Sequence, residues 1–320
     1  MKTKVVSINS QPVKSKLDLN TFLKEFKGYL TARQISAIHN GLVLTERLEK
    51  YATQALGLRP DLAETKKNTI LWSPPGAGKT FTVRNVIEEN NLQIVKFHGK
   101  ASLNSFTIKM AVHAYCNQDA SHIIPVWIDD CDAFFKEKES LDFMKIVLDN
   151  ENPVISWDVN MTTEIAKAEN TGMKTGDLTV ANALKHFNNG GVGIEIPGDQ
   201  FRFIITTNKK LASKQEVNAP RAKKIAIDEH AIRDRVNWRA FDINSEEAWG
   251  WMASVMLTSD VFAKDGFSLD PMQIFQLLQI FHTHWDELSA NSMRTVKEAG
   301  ALLYNNPDTF ADEFEQNFLS

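Results

Sequence analysis

Apolar residues recur at intervals of three and four along the early part of the chain: Leu19, Phe22, Phe26 and Leu30, then Ile35, Ile38 and Leu42, then Leu44 and Leu48. That spacing lays an apolar stripe along a helix and predicts two or three helices between Leu17 and about Leu58. The residues before them, 1 to about 17, are polar and Lys-rich without an apolar period and read as a loose arm or an extended clip on a neighbour. The pattern then changes. Short continuous apolar runs, Thr69–Trp72, Ile94–Phe97, Ile123–Asp129 and Phe201–Thr206, read as buried strands of a parallel sheet. Helix-prone segments separate the first three, which predicts an α/β layered core.

Between residues 151 and 198 the pattern weakens into polar stretches and the glycines of NNGGVG, an insertion expected to hold a helix and a turn or hairpin. After Ile243 the spacing is helical again, with Asp270-Pro271 and Asn291-Ser292 as helix starts. The expected organisation is an N-terminal arm and helical extension over 1–66, an α/β core over 67–242, and a helical lid over 243–320.

Composition narrows the class. The chain has 320 residues, 43% apolar and 24% charged, enough for sizeable cores. A net charge of −4 gives no global attraction to nucleic acid or to an anionic membrane. Cys116 and Cys131 are the two cysteines, stand in no paired motif, and both read as core thiols in a reducing compartment. The opening MKTKVVSINSQPVKSKLD lacks the apolar region of a secretion signal, and no stretch approaches the ~18 apolar residues that span a bilayer. The expectation is a cytoplasmic protein with no membrane contact.

The candidate chemistry lies at residues 73–80, SPPGAGKT, between TILW and FTVRNVIEEN. A loop leaving a buried strand and entering a helix aims several backbone N–H groups, and the positive end of the helix dipole, at a phosphate. Gly76 and Gly78 let the backbone approach the phosphates, Lys79 suits their β and γ oxygens, and the Thr80 hydroxyl suits Mg²⁺. Ser73 stands where such loops usually begin with glycine. A strand, Val126–Ile128, delivers Asp129 and Asp130 at its carboxyl end, the edge at which open α/β sheets bind ligands. Asp129 is the expected Mg²⁺-side carboxylate. Asp130 takes the place of a water-orienting glutamate and is one methylene shorter; Asp132 competes for that role, and an N-cap or surface acid is the simpler reading.

These residues resemble the AAA+ ATPases over about Thr69 to Ala301, with SPPGAGKT similar to Walker A and VWIDDCDAFF to Walker B. The resemblance implies ATP and Mg²⁺ as ligands, and a nucleotide cradle of Pro75, Gly76, Ala77, Gly78, Lys79, Thr80 and Phe81. FRFIITTNKK looks like the sensor 1 strand, with Asn208 helping to hold the attacking water. HAIRDRVNW resembles the arginine-finger segment, so Arg235 would reach the nucleotide of the next subunit in a homo-oligomeric ring or partial ring. Arg233 is the alternative, and ion pairs with Asp228, Glu229 or Asp234 are the structural reading of either arginine. SMRTVKEA looks like sensor 2, with Arg294 over the nucleotide.

The DD pair and the compact second strand-helix unit look more like the DNA-replication members, helicase loaders, clamp loaders and initiators. The stretch FMKIVLDNENPVISW with the insertion has the look of bacteriophage ATPases, which would place the chain in a bacterial host cytoplasm. Remodelling of a nucleic-acid or replication complex is therefore expected. A MoxR-like chaperone acting on a protein partner, and an ATP-gated scaffold with little turnover, are the competing readings. Lys209, Lys210, Lys214, Arg221, Lys223 and Lys224 suit phosphate contacts with DNA or RNA, and suit a solvated loop equally. His282 and His284, two apart on a helix, face different directions and do not make a metal site.

Overall fold

The computed structural model describes residues 18–59, 66–99, 101–117, 123–151, 153–158, 160–171, 174–175, 178–190, 193–218 and 224–319. The expected N-terminal arm, Arg221 and Lys223 lie outside them. In chain order the elements are α1 (Leu19–Glu25), α2 (Ala32–Ala55), β1 (Thr69–Trp72), α3 (Lys79–Glu89), β2 (Val95–His98), α4 (Leu103–Cys116), β3 (Ile124–Asp129) and α5 (Lys138–Val147). The insertion follows as β4 (Val154–Asp158), α6 (Met161–Thr171), β5 (Lys174–Thr175), β6 (Leu178–Thr179), α7 (Val180–His186), β7 (Asn188–Asn189) and β8 (Gly193–Pro197). Then come β9 (Phe201–Thr207), α8 (Lys214–Val217), α9 (Lys224–Asp234), β10 (Asn237–Ala240), α10 (Ser245–Thr258), α11 (Pro271–Thr283), α12 (Met293–Asn305) and α13 (Phe310–Phe318).

The described residues divide into two units. One holds 18–47, 75–78 and 243–319; the other holds 48–59, 66–74 and those of 79–242. The second is built on a five-stranded sheet in the order β10-β1-β9-β3-β2, with each neighbouring pair parallel. Ile70, Val126, Ile128, Phe203 and Ile205 are buried along its strands. Phe106 of α4 centres the core, with ring centroids 4.6 Å from Phe97, 5.6 Å from Phe134, 5.5 Å from Phe143 and 6.2 Å from Phe203.

Strand β10 is absent from the sequence reading. Its residues NWRA show neither an apolar run nor clean alternation, and it forms because β1 has an open edge, along which Thr69 to Trp72 pair with Asn237 to Ala240. The insertion is richer than the expected helix and hairpin. Its strands β4, β8 and β7 make an antiparallel sheet, β5 and β6 a second short pairing, and Ile155, Val180, Leu184, Ile194 and Ile196 join the core that contains Ile70 and Phe203. Strands of two residues, such as Asn188–Asn189, carry no period that a sequence can display.

Cys131 is buried as expected, whereas Cys116 is exposed. Cys116 sits in the last turn of α4, off the face on which Phe106, Met110 and Ala114 are buried.

The helical unit follows its start signals closely. Asp18 caps α1, Asn244 with Glu247 and Asp270 with Gln273 form capping boxes on α10 and α11, and Ser292 caps α12. Pro271 occupies the first turn of α11, where a missing N–H has no helical partner to lose. Its core includes Trp251, Leu277, Leu278, Phe281, Val296 and Phe314. Helices α2 and α10 approach through glycines: a Cβ on Gly41 would lie 2.1 Å from the Gly250 carbonyl oxygen, and one on Gly250 2.1 Å from that of Ala37. His282 packs edge-on against Trp249 at 4.9 Å and His284 Nδ1 meets Glu287 at 2.8 Å, so the two histidines have separate partners. No helix among the described residues is long and apolar enough to cross a membrane.

Candidate functional site

Parallel register fixes the site. It pairs Trp72 with Thr207, Thr206 with Asp129, and Asp129 with His98, so four strands end side by side at one edge of the sheet. The residues that follow, Ser73, Asn208 and Asp130, leave from that carboxyl edge, where α/β sheets bind ligands.

Lys79 opens α3 and is buried. Its ammonium donates to Ser73 Oγ at 2.6 Å, the Ser73 carbonyl at 3.0 Å and Asn208 Oδ1 at 2.8 Å. Burial pushes its pKa down to about 8, against the pull of the Asp130, Asp129 and Asp132 carboxylates. One residue on, Thr80 Oγ1 donates to Asp129 Oδ1 at 2.7 Å.

Asp129 is 1% exposed and sits in a ring of donors. Thr206 Oγ1 donates to the same oxygen at 2.6 Å and accepts from Trp127 Nε1 at 3.1 Å. His98 Nδ1 lies 3.2 Å, and Lys96 Nζ 3.7 Å, from Asp129 Oδ2. A buried carboxylate oxygen and a hydroxyl oxygen at hydrogen-bond distance are hard donors suited to Mg²⁺, which keeps several positions for water and phosphate oxygens. A closed protein cage is not required, and among the described residues no cluster of three or more His, Cys, Asp or Glu forms one.

Asp130 is exposed and adopts a left-handed backbone at φ 53°, with its N–H bonded to the Thr206 carbonyl at 3.0 Å. Aspartate tolerates this region better than most residues. Asp132 is held by the Thr207 hydroxyl at 2.7 Å. Between them, burial and then the three neighbouring carboxylates push the Cys131 thiol up to about 11, which leaves it unreactive.

Loop residues 75–78 belong to the helical unit. Gly76 and Gly78 have φ of 87° and 74°, which a side chain would strain. A Cβ on Gly78 would fall 1.8 Å from the Trp251 ring, and one on Gly76 2.7 Å from the Asn291 carbonyl. Ala77 is fully buried, Pro75 exposed and Phe81 partly buried. Arg294 is exposed on α12, three residues beyond Asn291.

The structure thus brings Lys79, Thr80, Asp129 and Asn208 together. Arg235, at the end of α9, turns to other partners: it donates to the Ala231 carbonyl at 2.7 Å and lies 3.6 Å from Asp149. Arg233 covers the Trp238 ring at 4.8 Å. The acids expected to pair with these arginines are engaged elsewhere, Asp228 by Lys145 at 2.9 Å, Glu229 by Lys209 at 2.7 Å and Asp234 by His230 at 3.5 Å. Sequence reasoning missed Thr206, Lys96 and His98. The two basic residues stand two apart on β2 and so share a face, which was the available signal.

A phosphate loop between strand and helix, a buried aspartate at the end of a neighbouring strand, and a five-stranded parallel sheet flanked by helices define an α/β P-loop nucleotide-binding core with a helical C-terminal part. Residues 69–226, just under half of the chain, match the ATPase family associated with various cellular activities (AAA). An AAA domain implies ATP binding, usually with Mg²⁺, and ATPase activity in general. No curated protein matches the chain.

Proposed function

We propose that this protein is a Mg²⁺-dependent ATPase that works as an oligomer on a nucleic-acid or replication complex. The observation that carries the ATPase reading is the pair of contacts at one sheet edge, Lys79 with Asn208 at 2.8 Å and Thr80 with Asp129 at 2.7 Å. Thr80 and Asp129 would hold the metal, and a bound Mg²⁺ would supply neutralisation of phosphate charge. Lys79 turns to the β and γ oxygens. Asn208, with Asp130, orients the water that attacks the γ-phosphorus, and the proton leaves toward the Asp130 carboxylate as the P–O bond to ADP breaks. Arg235 of a second copy stabilises the charge developing on the γ-phosphoryl group as it passes from ADP to water.

The nucleic-acid part of this reading is supported by the exposed Lys214 and Lys224, while Lys209 is ion-paired with Glu229 at 2.7 Å and Lys210 lies 4.0 Å from Asp242. The test is steady-state phosphate release from ATP, with and without Mg²⁺ and DNA, for the parent and Lys79→Ala. Turnover that requires Mg²⁺ and falls by about 100-fold or more in Lys79→Ala is the expected result. Nucleotide-driven assembly without turnover would replace this reading with the scaffold.

A further inference from the structure

We propose that Ser73 and Asn208 are internal counter-ligands of the Lys79 ammonium, with which an incoming phosphate must compete. A triphosphate must then displace Asn208 from the lysine, and that displacement frees the amide to orient water. The inference rests on the ATPase reading and explains the residue that departs from the glycine usual at the start of such loops.

An ammonium has three N–H donors. Three acceptors meet it at ordinary hydrogen-bond distance, Ser73 Oγ at 2.6 Å, Asn208 Oδ1 at 2.8 Å and the Ser73 carbonyl at 3.0 Å, with the Pro74 carbonyl marginal at 3.4 Å. The donors are therefore saturated by the protein itself. Ser73 is fully buried, and its own hydroxyl proton goes to the Pro74 carbonyl at 2.7 Å, so toward Lys79 the Oγ can only accept. Glycine at this position would offer the carbonyl alone. The hydroxyl is what completes the set.

The two side chains differ in access. Ser73 is sealed, whereas Asn208 is exposed, so a ligand arriving from solvent takes the place of Asn208 Oδ1 first. Asn208 is also fixed through its backbone, because its carbonyl accepts from Trp72 Nε1 at 3.1 Å; exchange of partners therefore requires only side-chain rotation. In this arrangement the lysine is internally satisfied and the Asn208 amide is engaged. Arrival of a γ-phosphate reverses both.

A residue that merely supports the loop would weaken nucleotide binding when altered. A counter-ligand does the opposite, because its removal leaves a donor of Lys79 unsatisfied until the triphosphate arrives. The measurement is the calorimetric dissociation constant of the β,γ-imido analogue of ATP with Mg²⁺, for the parent, Asn208→Ala and Asn208→Val, since Asn208 is the counter-ligand that the triphosphate replaces. Thermal melting identifies the variants that fold, and either variant alone decides the question. The expected result is binding about tenfold tighter than the parent, the effect of one charge-assisted hydrogen bond. Unchanged or weaker binding in a folded variant overturns the counter-ligand role. Failure of the parent itself to bind the analogue overturns the ATPase reading instead.

Discussion

At the candidate site the ammonium of Lys79 is the charge most altered by folding, because it is buried. Its pKa is lowered to about 8 chiefly by burial, and the ammonium is the form that attracts phosphate. The unfolded lysine keeps its charge until about pH 10.4. Between these values the folded, nucleotide-free protein binds fewer protons than the unfolded chain, so this group makes stability rise with pH across that window. Nucleotide affinity runs the opposite way. Calorimetric titration of the imido analogue should give affinity that is flat below about pH 7 and falls by up to tenfold per unit above about pH 8, with Lys79→Arg showing no such fall. A parent profile as flat as that of Lys79→Arg would show that the burial of this ammonium does not govern binding. The same scale shows what can be read from letters. Lys79, Thr80 and Asp129 were legible because their chemistry fixes their spacing; the donors Thr206, Lys96 and His98 around Asp129 were not, because strand register brings them there.

At the scale of elements, the crossing of α2 and α10 depends on two glycines that a helix would ordinarily disfavour. Replacing a helical glycine by alanine generally stabilises by about 1 kcal/mol. Here the added methyl would meet backbone, 2.1 Å from the Ala37 carbonyl oxygen for Gly250→Ala, and backbone cannot rotate away. Gly250→Ala should therefore lower stability, by about 1–3 kcal/mol or more in chemical denaturation. Gly28→Ala, where nothing lies within 4 Å, serves as the neutral comparison. A gain in stability for Gly250→Ala would mean that the helices can separate without loss. Helix starts were legible at Asp270-Pro271 and Ser292 because capping is a local affair of three or four residues. Strand β10 and the sheet of the insertion were not, since their stability comes from partners distant in sequence.

At the scale of the molecule, the family match falls on residues 69–226, whereas the phosphate-loop residues 75–78 cluster with the helical unit. The proposed assembly assigns Arg235 to a neighbouring copy. Within its own chain that guanidinium is engaged by the Ala231 carbonyl at 2.7 Å and faces Asp149 at 3.6 Å, an ion pair too long for a hydrogen bond. If it acts in trans, turnover per chain rises with protein concentration, and Arg235→Ala loses about 10³-fold in kcat while binding the imido analogue as the parent does. Concentration-independent turnover, or normal kcat in Arg235→Ala, moves the finger to Arg233 or removes it.

The sequence by itself determined the alternation of strands and helices, the helical C-terminal part, and the loop with its lysine, threonine and partner aspartate. Each of these is set by periods or spacings within a few residues, so each is visible in one dimension. Only the tertiary structure decided the strand order, the core shared by the insertion, the exposure of Cys116, and the capture of Lys79 by Ser73 and Asn208. The last of these joins residues 129 positions apart through parallel pairing of β1 with β9, and no local pattern encodes a register between strands so distant in the chain.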